Sequence, residues 1–411
     1  NRGDTNGDTP LILTARYSGD VETARALREA GAQTNVKNAR GMTAVDSALA
    51  RGRLAFARAL GYRPQGSVSV DAKPLAERAR MAVERGLPPV ELATLNFINR
   101  SGCVSCHHQG VGLMVTAMAR DHGYQVDKSL TETQVKSVTD FIDPSAPQLR
   151  GILDKPELHG KVPTAEIGEY VPFMAYVFNG LLEQKVPTRE SISCATVIMA
   201  SQQREDGRFS FTAHREPMQS TDITTTAFCI RLLQTYMPAD RADDVARRIG
   251  KARDWLIASH AITTDDLAFR LLGLKWAGAP PQEIDQAAAA LRKAQHGDGG
   301  WSQFQKPRFT RDAYACSDAY ATGEALYALN QAGASAPSDA YYQRGVRFLL
   351  DTQDDDGTWF VQKRATPLNI YLDAGFPNVE SQYISYTASC WANMALMLAA
   401  DQPALAQAVR R

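Results

Sequence analysis

Three copies of one short pattern constrain this chain more than anything else in it. Gln203-x-x-x-Gly207-x-Phe209 returns as Gln295-x-x-x-Gly299-x-Trp301 and again as Gln353-x-x-x-Gly357-x-Trp359. Each copy follows an apolar run of helical period and leads, through a polar loop, into another: 223–236, 318–329 and 383–399. The glycine permits a tight turn. The aromatic ring plugs the ends of the flanking helices, and the glutamine amide satisfies backbone groups left open there.

The pattern resembles the QW motif of the squalene/hopene cyclase and prenyltransferase repeat family, over residues from about 74 to 401. The resemblance implies a single α/α toroid, outer and inner helices alternating in a closed ring. The expected pairs 131–153 with 166–183, and 243–258 with 265–277, fit that ring without a QW loop. Pro88-Pro89 are expected to end a first helix and start a second, which runs through Leu92, Leu95 and Ile98. Class II terpene cyclases carry Asp-x-Asp-Asp-Thr-Ala at the start of an inner helix, where the middle aspartate protonates the substrate. The stretch Thr263-Thr264-Asp265-Asp266-Leu267-Ala268 departs from it at Thr263 and Leu267. The resemblance puts Asp265 in the acid's place. The competing expectation is that Thr264 or Asp265 caps the helix, as Asp222 and Asp318 are expected to cap theirs. No Asp-x-Cys with a distant histidine matches the zinc-dependent protein prenyltransferases. Tyr320, Tyr327, Tyr383, Tyr386 and Trp391 cluster on the late inner helices, as core packing or as the wall of a ligand cavity.

Cysteine and histidine gather in one place, Cys103-Val104-Ser105-Cys106-His107, followed by His108. Two cysteines three apart with histidine next is the spacing of covalent c-type haem attachment. Two thiols form thioethers to the porphyrin vinyls, and His107 then lies close enough to supply the proximal nitrogen to iron. The segment takes the place of a first QW loop, so the haem would sit at one mouth of the ring. For the sixth position the sequence offers His159, expected in an exposed loop, Met174 on an inner helix, His214 and Met218. Two other readings stand beside haem: a zinc site built on Cys103, Cys106 and a histidine, and a redox-labile disulfide.

Residues 1–64 carry a second periodicity. Thr9-Pro10-Leu11-Ile12 recurs loosely as Thr43-Ala44-Val45-Asp46, 34 residues on, while Gly19 and Gly52, and Ala15 and Ala48, are 33 apart. This resembles the ankyrin repeat, with Gly31-Ala32, Asn35 and Gly41 at the turn between units. Residues 65–73 read as a linker and 74–411 as the toroid, with the haem motif at 103–107.

The expected architecture is therefore all-α: ankyrin repeats, then a single α/α toroid. Lysine plus arginine equals aspartate plus glutamate, 45 each, so nothing in the charge calls for nucleic acid or an anionic membrane. No apolar run approaches the ~20 residues of a membrane helix. Cys194, Cys229, Cys316 and Cys390 stand alone and read as small buried hydrophobes. The first expectation for function is a secreted or periplasmic haem c protein. It would pass electrons to a redox partner protein or bind small ligands, with the ankyrin part docking into a larger assembly. The second is a terpene cyclase-like enzyme acting on an apolar isoprenoid, with Asp265 as acid. The third is a zinc-stapled scaffold without catalysis.

Overall fold

The computed structural model describes residues 2–17, 21–49, 54–62, 73–161, 170–212, 217–218, 221–304, 316–364 and 372–400. His214 lies outside them. Among the described residues every regular element is helical, with two isolated β-bridges, Thr263–Phe304 and Trp301–Asp318. The protein is all-α, as expected.

Four short helices, α1 (Pro10–Tyr17), α2 (Val21–Glu29), α3 (Ala44–Leu49) and α4 (Leu54–Ala59), pack on one another around Leu11, Ile12, Ala15, Ala24, Ala44, Ala48 and Phe56. The positions 33 apart, Ala15 and Ala48, are both fully buried. Thr43 and Asp46 close a reciprocal cap at the head of α3: the Thr43 amide donates to Asp46 Oδ2 at 2.8 Å, and the Asp46 amide to Thr43 Oγ1 at 3.1 Å. This small core is separate from the large one that follows.

The large core belongs to a ring of helix pairs. Outer helix α5 (Leu75–Ser101) leads through a π-turn (Cys106–Val111) into inner helix α6 (Gly112–Asp121). Then α7 (Lys128–Ile142), with the short α8 (Ala146–Ile152) and α9 (Pro156–His159), precedes inner α10 (Tyr170–Glu183). The pairs α11 (Glu190–Ser201) and α12 (Asp222–Tyr236), α13 (Ala242–Ala258) and α14 (Thr264–Trp276), α15 (Pro281–Lys293) and α16 (Ala319–Gln331), and α17 (Ala340–Thr352) and α18 (Gln382–Ala400) complete the circuit. Inner helices touch in the order α6, α10, α12, α14, α16, α18, and α18 returns to α6 and α5, closing the ring. The layering follows from apolar width. Residues Tyr170–Leu181 of α10 are buried all round, whereas outer α13 buries only Ala252 and Leu256.

The three QW loops tie each outer helix to the next. Gln203, Gln295 and Gln353 each donate through Nε2 to the carbonyl of their own loop glycine, Gly207, Gly299 and Gly357, at 2.8–2.9 Å. The same nitrogen bonds the next outer helix at Arg248 O (2.9 Å), Tyr341 O (2.8 Å) or Ala82 O (2.8 Å). The last of these joins the end of the ring to its beginning. All three glycines have positive φ, 103°, 91° and 85°, and a β-carbon on them would overlap the carbonyl oxygen of Lys251, Arg344 or Arg85 on that neighbouring helix. Trp301 and Trp359 are fully buried and donate through Nε1 to Leu291 O and Leu349 O, both at 2.8 Å.

One expectation fails here. Pro88-Pro89 do not break the chain into two helices; α5 runs unbroken through them. The amides they lack would have bonded the carbonyls of Glu84 and Arg85, four residues back. The Arg85 carbonyl lies instead against Gly357, so packing of the ring on this flank offsets the lost amide bonds and the helix continues through both prolines.

Candidate functional site

Helix α5 ends at Gly102 in the left-handed conformation (φ 62°), and the chain turns back at Ser105, which is extended. The Ser105 hydroxyl accepts from the His108 amide at 3.0 Å and caps the π-turn. Gln109 folds back so that its Oε1 accepts the Ser105 amide at 2.8 Å. The π-turn carries Gly110 because α10 approaches closely there: a β-carbon on Gly110 would crowd Tyr176, and one on Gly180 would crowd the carbonyls of Gln109 and Gly110.

This framework separates the two adjacent histidines. His108 is fully buried, its ring stacked on Phe97 (centroids 4.5 Å apart, 13° between planes) and packed on Tyr386 at 4.3 Å. Its Nδ1 lies 3.3 Å from Ser105 Oγ, while its Nε2 has no hydrogen-bond partner among the described residues. Burial, with the His107 charge next to it, pushes its pKa well below that of a free imidazole, so the ring stays neutral. His107 is half-buried, against the Tyr383 ring at 5.8 Å. Cys103 is half-buried and Cys106 buried.

The donor types that haem c requires are present: two thiols three residues apart and an imidazole, His107, that is half-buried. The aromatic sandwich occupies His108. Among the described residues no three or more Cys, His, Asp or Glu side chains are grouped to hold a metal ion.

For the sixth position the structure corrects the expectation for His159. The residue is 5% exposed, not in an open loop, and both nitrogens are engaged: Nδ1 with Ser201 Oγ at 2.6 Å, Nε2 with Ile152 O at 2.8 Å. Met174 sits on inner helix α10 as expected, within the core. Met218 lies with its sulfur 3.9 Å from Thr387 Oγ1, one turn along α18 from the Tyr383 that faces His107.

A second cluster lies at the start of α14. The capping expectation fails for Asp265. Thr263 is the cap, its Oγ1 accepting from the Asp266 amide at 3.0 Å, and Asp266 Oδ2 in return accepts the Thr263 amide at 3.0 Å. Thr264 donates to Ser302 O at 2.6 Å. Asp265 is left to point into the ring, 2% exposed, where it accepts from the Thr224 hydroxyl of α12 and, at 3.5 Å, from Tyr320 OH of α16. Burial is the main cause that lifts its pKa to about 8, opposed in part by the Thr224 hydrogen bond and reinforced by the charge of Asp266. Glu324, one turn after Tyr320 on α16, is fully buried, and among the described residues its carboxyl oxygens have no hydrogen-bond partner beyond the Asp265 carboxyl. Burial, and then the Asp265 charge, hold it well above the usual carboxylate range. Asp318 does cap α16, accepting from the Ala321 amide at 2.9 Å, whereas α12 is capped by Thr221 rather than Asp222. Tyr320, Tyr327, Tyr386 and Trp391 are buried, and Trp391 packs against Tyr327 and Phe269.

Sequence reasoning missed Glu324 and the aromatic sandwich of His108. Glu324 did leave a signal: it is the one charged residue in Ala319–Gln331, an otherwise apolar inner helix. His108 left none, since its burial depends on Phe97 and Tyr386 from two other helices.

Comparison with known families separates the two parts of the chain. Residues 269–402 match the squalene-hopene cyclase C-terminal domain. Residues 12–60 match ankyrin repeats (many copies). The cyclase-domain match takes in the last two QW loops, Glu324 and the α18 aromatics, while Asp265 and the Cys103 segment lie ahead of it. No curated protein matches the chain. Among solved structures, one described as a crystal structure of a protein from Actinoplanes is similar with a TM-score of 0.48 and 14% identity, over 78% of this chain and 99% of that one. A second, a glycosidase variant in complex with glucose, has a TM-score of 0.47 and 14% identity, over 82% of this chain and 98% of that one. No helix among the described residues is long and apolar enough to cross a membrane.

Proposed function

We propose that the squalene-hopene cyclase-like toroid is a carrier for haem c, working in the periplasm or another extracytoplasmic compartment. Cys103 and Cys106 attach the group through thioethers, and His107 ligates the iron. When bound, haem supplies one-electron transfer or small-ligand binding. The observation that carries the reading is the division of labour between the two histidines. The Phe97–Tyr386 sandwich buries His108 in the core, while His107 and Cys103 are both only half-buried. Tyr383 braces the His107 ring. Of the sixth-ligand candidates, the arrangement favours Met218, whose contact with Thr387 reaches the helix that His107 faces. The ankyrin repeats fit docking to a partner protein, which would include the redox partner. Co-expression with haem c maturation machinery tests the reading: it expects a Soret band that survives denaturation and disappears in Cys103→Ser/Cys106→Ser. A colourless product would end it.

A second reading rests on a different observation. Asp265 is buried, freed from capping and supported by Thr224 and Tyr320, which suits an acid acting on an apolar, isoprenoid-like substrate inside the ring. Loss of turnover in Asp265→Ala with an unchanged visible spectrum would support it. Turnover persisting in that variant would exclude it.

A further inference from the structure

Two carboxyl groups lie buried in the ring interior, and the donors around them are shared unequally. Both oxygens of Asp265 are met by hydroxyls, Oδ2 by Thr224 from α12 and Oδ1 by Tyr320 from α16. Such donors favour a carboxylate. Glu324 is fully buried, and the polar group it meets is the Asp265 carboxyl itself, with which it shares a side-chain hydrogen bond; no other donor reaches its oxygens among the described residues. An ionised Glu324 would therefore be an uncompensated charge in the core, beside a second carboxylate. We infer that Asp265 and Glu324 form one proton-sharing pair, in which Glu324 carries the proton and Asp265 the charge.

The other acidic groups acting on the pair have hydrogen-bond or ion-pair partners of their own or are buried phenols. Asp266 is held by the amides of Ile262 and Thr263 and by the Thr221 hydroxyl. Asp318 is paired with Arg364 at 2.7 Å. Tyr176 from α10 and Tyr320 from α16 are pushed up by burial and stay un-ionised. Burial and their mutual charge displace both carboxyls upward, so the site holds on to protons that free carboxyls have lost at neutral pH.

This inference rests on the second reading above and changes its chemistry: Glu324 is the proton donor and Asp265 a positioning residue. In the step, the Glu324 O–H bond breaks, and the proton forms a C–H bond with the π pair of an electron-rich, apolar alkene. Glu324 is left as an anion, so both carboxylates face the cation formed on the substrate. The Tyr176, Tyr320 and Trp391 rings, all buried in the same core, would supply the apolar and π-rich contacts to such a molecule once it entered.

Isotope-edited infrared spectroscopy of the full chain at neutral pH tests the assignment without needing turnover. The expected result is an un-ionised carboxyl band that moves when glutamate, not aspartate, carries 13C, is absent in Glu324→Gln and persists in Asp265→Asn. A band that follows labelled aspartate, persists in Glu324→Gln or is missing altogether would overturn it. Should Glu324→Gln fail to fold, the two labelled wild-type spectra decide alone. With an alkene substrate, Glu324→Gln should lose at least about 100-fold in turnover, and Asp265→Asn should move the alkaline fall in activity to lower pH. If the infrared assignment holds and no apolar alkene is turned over, the pair stands and the enzyme reading fails.

Discussion

The transitions from outer to inner helix are of two kinds, and they differ in what they hold. At Gln203, Gln295 and Gln353 the loop is a staple: its amide and its glycine are both committed to the next outer helix. At Cys103–Val111 the bonds of Ser105 and Gln109 stay within their own hairpin, reaching Thr94, and a bond that leaves it runs from Tyr386 OH on inner helix α18 to His108 O, at 3.5 Å, not to an outer helix. The transition into α14 is likewise without a QW loop, and it presents Asp265 to the ring interior. The repeated loops close the architecture, while the exceptions present Cys103, Cys106, His107 and Asp265; Glu324, by contrast, follows a QW loop, on α16.

Substitutions at the loop glycines should separate the two kinds most strongly. Gly357→Ala forces a β-carbon into the Arg85 carbonyl and strains a φ of 85°, so a loss of about 3 kcal/mol or more, or failure to fold, is expected in urea titration. Gly102→Ala meets nothing within 4 Å and should cost only about 1 kcal/mol, the strain of its left-handed backbone. Equal losses would erase the distinction. Next in size, Gln353→Ala leaves the carbonyls of Ala82 and Gly357 without their donor and should cost about 2 kcal/mol. Trp359→Phe, which removes one buried bond to Leu349 O, should cost about 1 kcal/mol.

The acid pair adds a pH dependence that the stapled loops lack. Burial holds the Asp265–Glu324 pair above the usual carboxylate range, so from 3.8 up to about 8 the folded pair keeps a proton that the unfolded chain has lost. Stability then falls as pH rises through that window, by at most about 1.4 kcal/mol per pH unit for one proton. Asp265→Asn and Glu324→Gln should flatten the slope of the urea midpoint between pH 5 and 8. A slope unchanged in both would contradict the buried pair. Smallest of all, Cys103→Ser should alter the stability of the haem-free chain by less than about 0.5 kcal/mol, since Cys103 is only half-buried.

What could be read in advance follows the same division. The ring was legible because Gln, Gly and an aromatic residue must recur wherever an outer helix is tied to its neighbour. Ankyrin repeats were legible because Ala15 and Ala48 share one spacing and one buried role. Pro88-Pro89 misled because the local rule weighs lost amides and cannot weigh packing against Gly357. At Thr263 the capping spacing to Asp266 was visible, but the competing expectation assigned the cap to Thr264 or Asp265. The interior pair needed three helices brought together: Thr224, Asp265 and Glu324 lie on α12, α14 and α16, far apart in sequence, and no local pattern joins them.

The most direct test of the central claim is the intact mass of the denatured protein after co-expression with haem c maturation machinery in an exporting host. The account predicts the mass of the chain plus one haem, reverting to the chain alone in Cys103→Ser/Cys106→Ser. The mass of the bare chain in the unaltered protein, from cells that load a control cytochrome c, would contradict it.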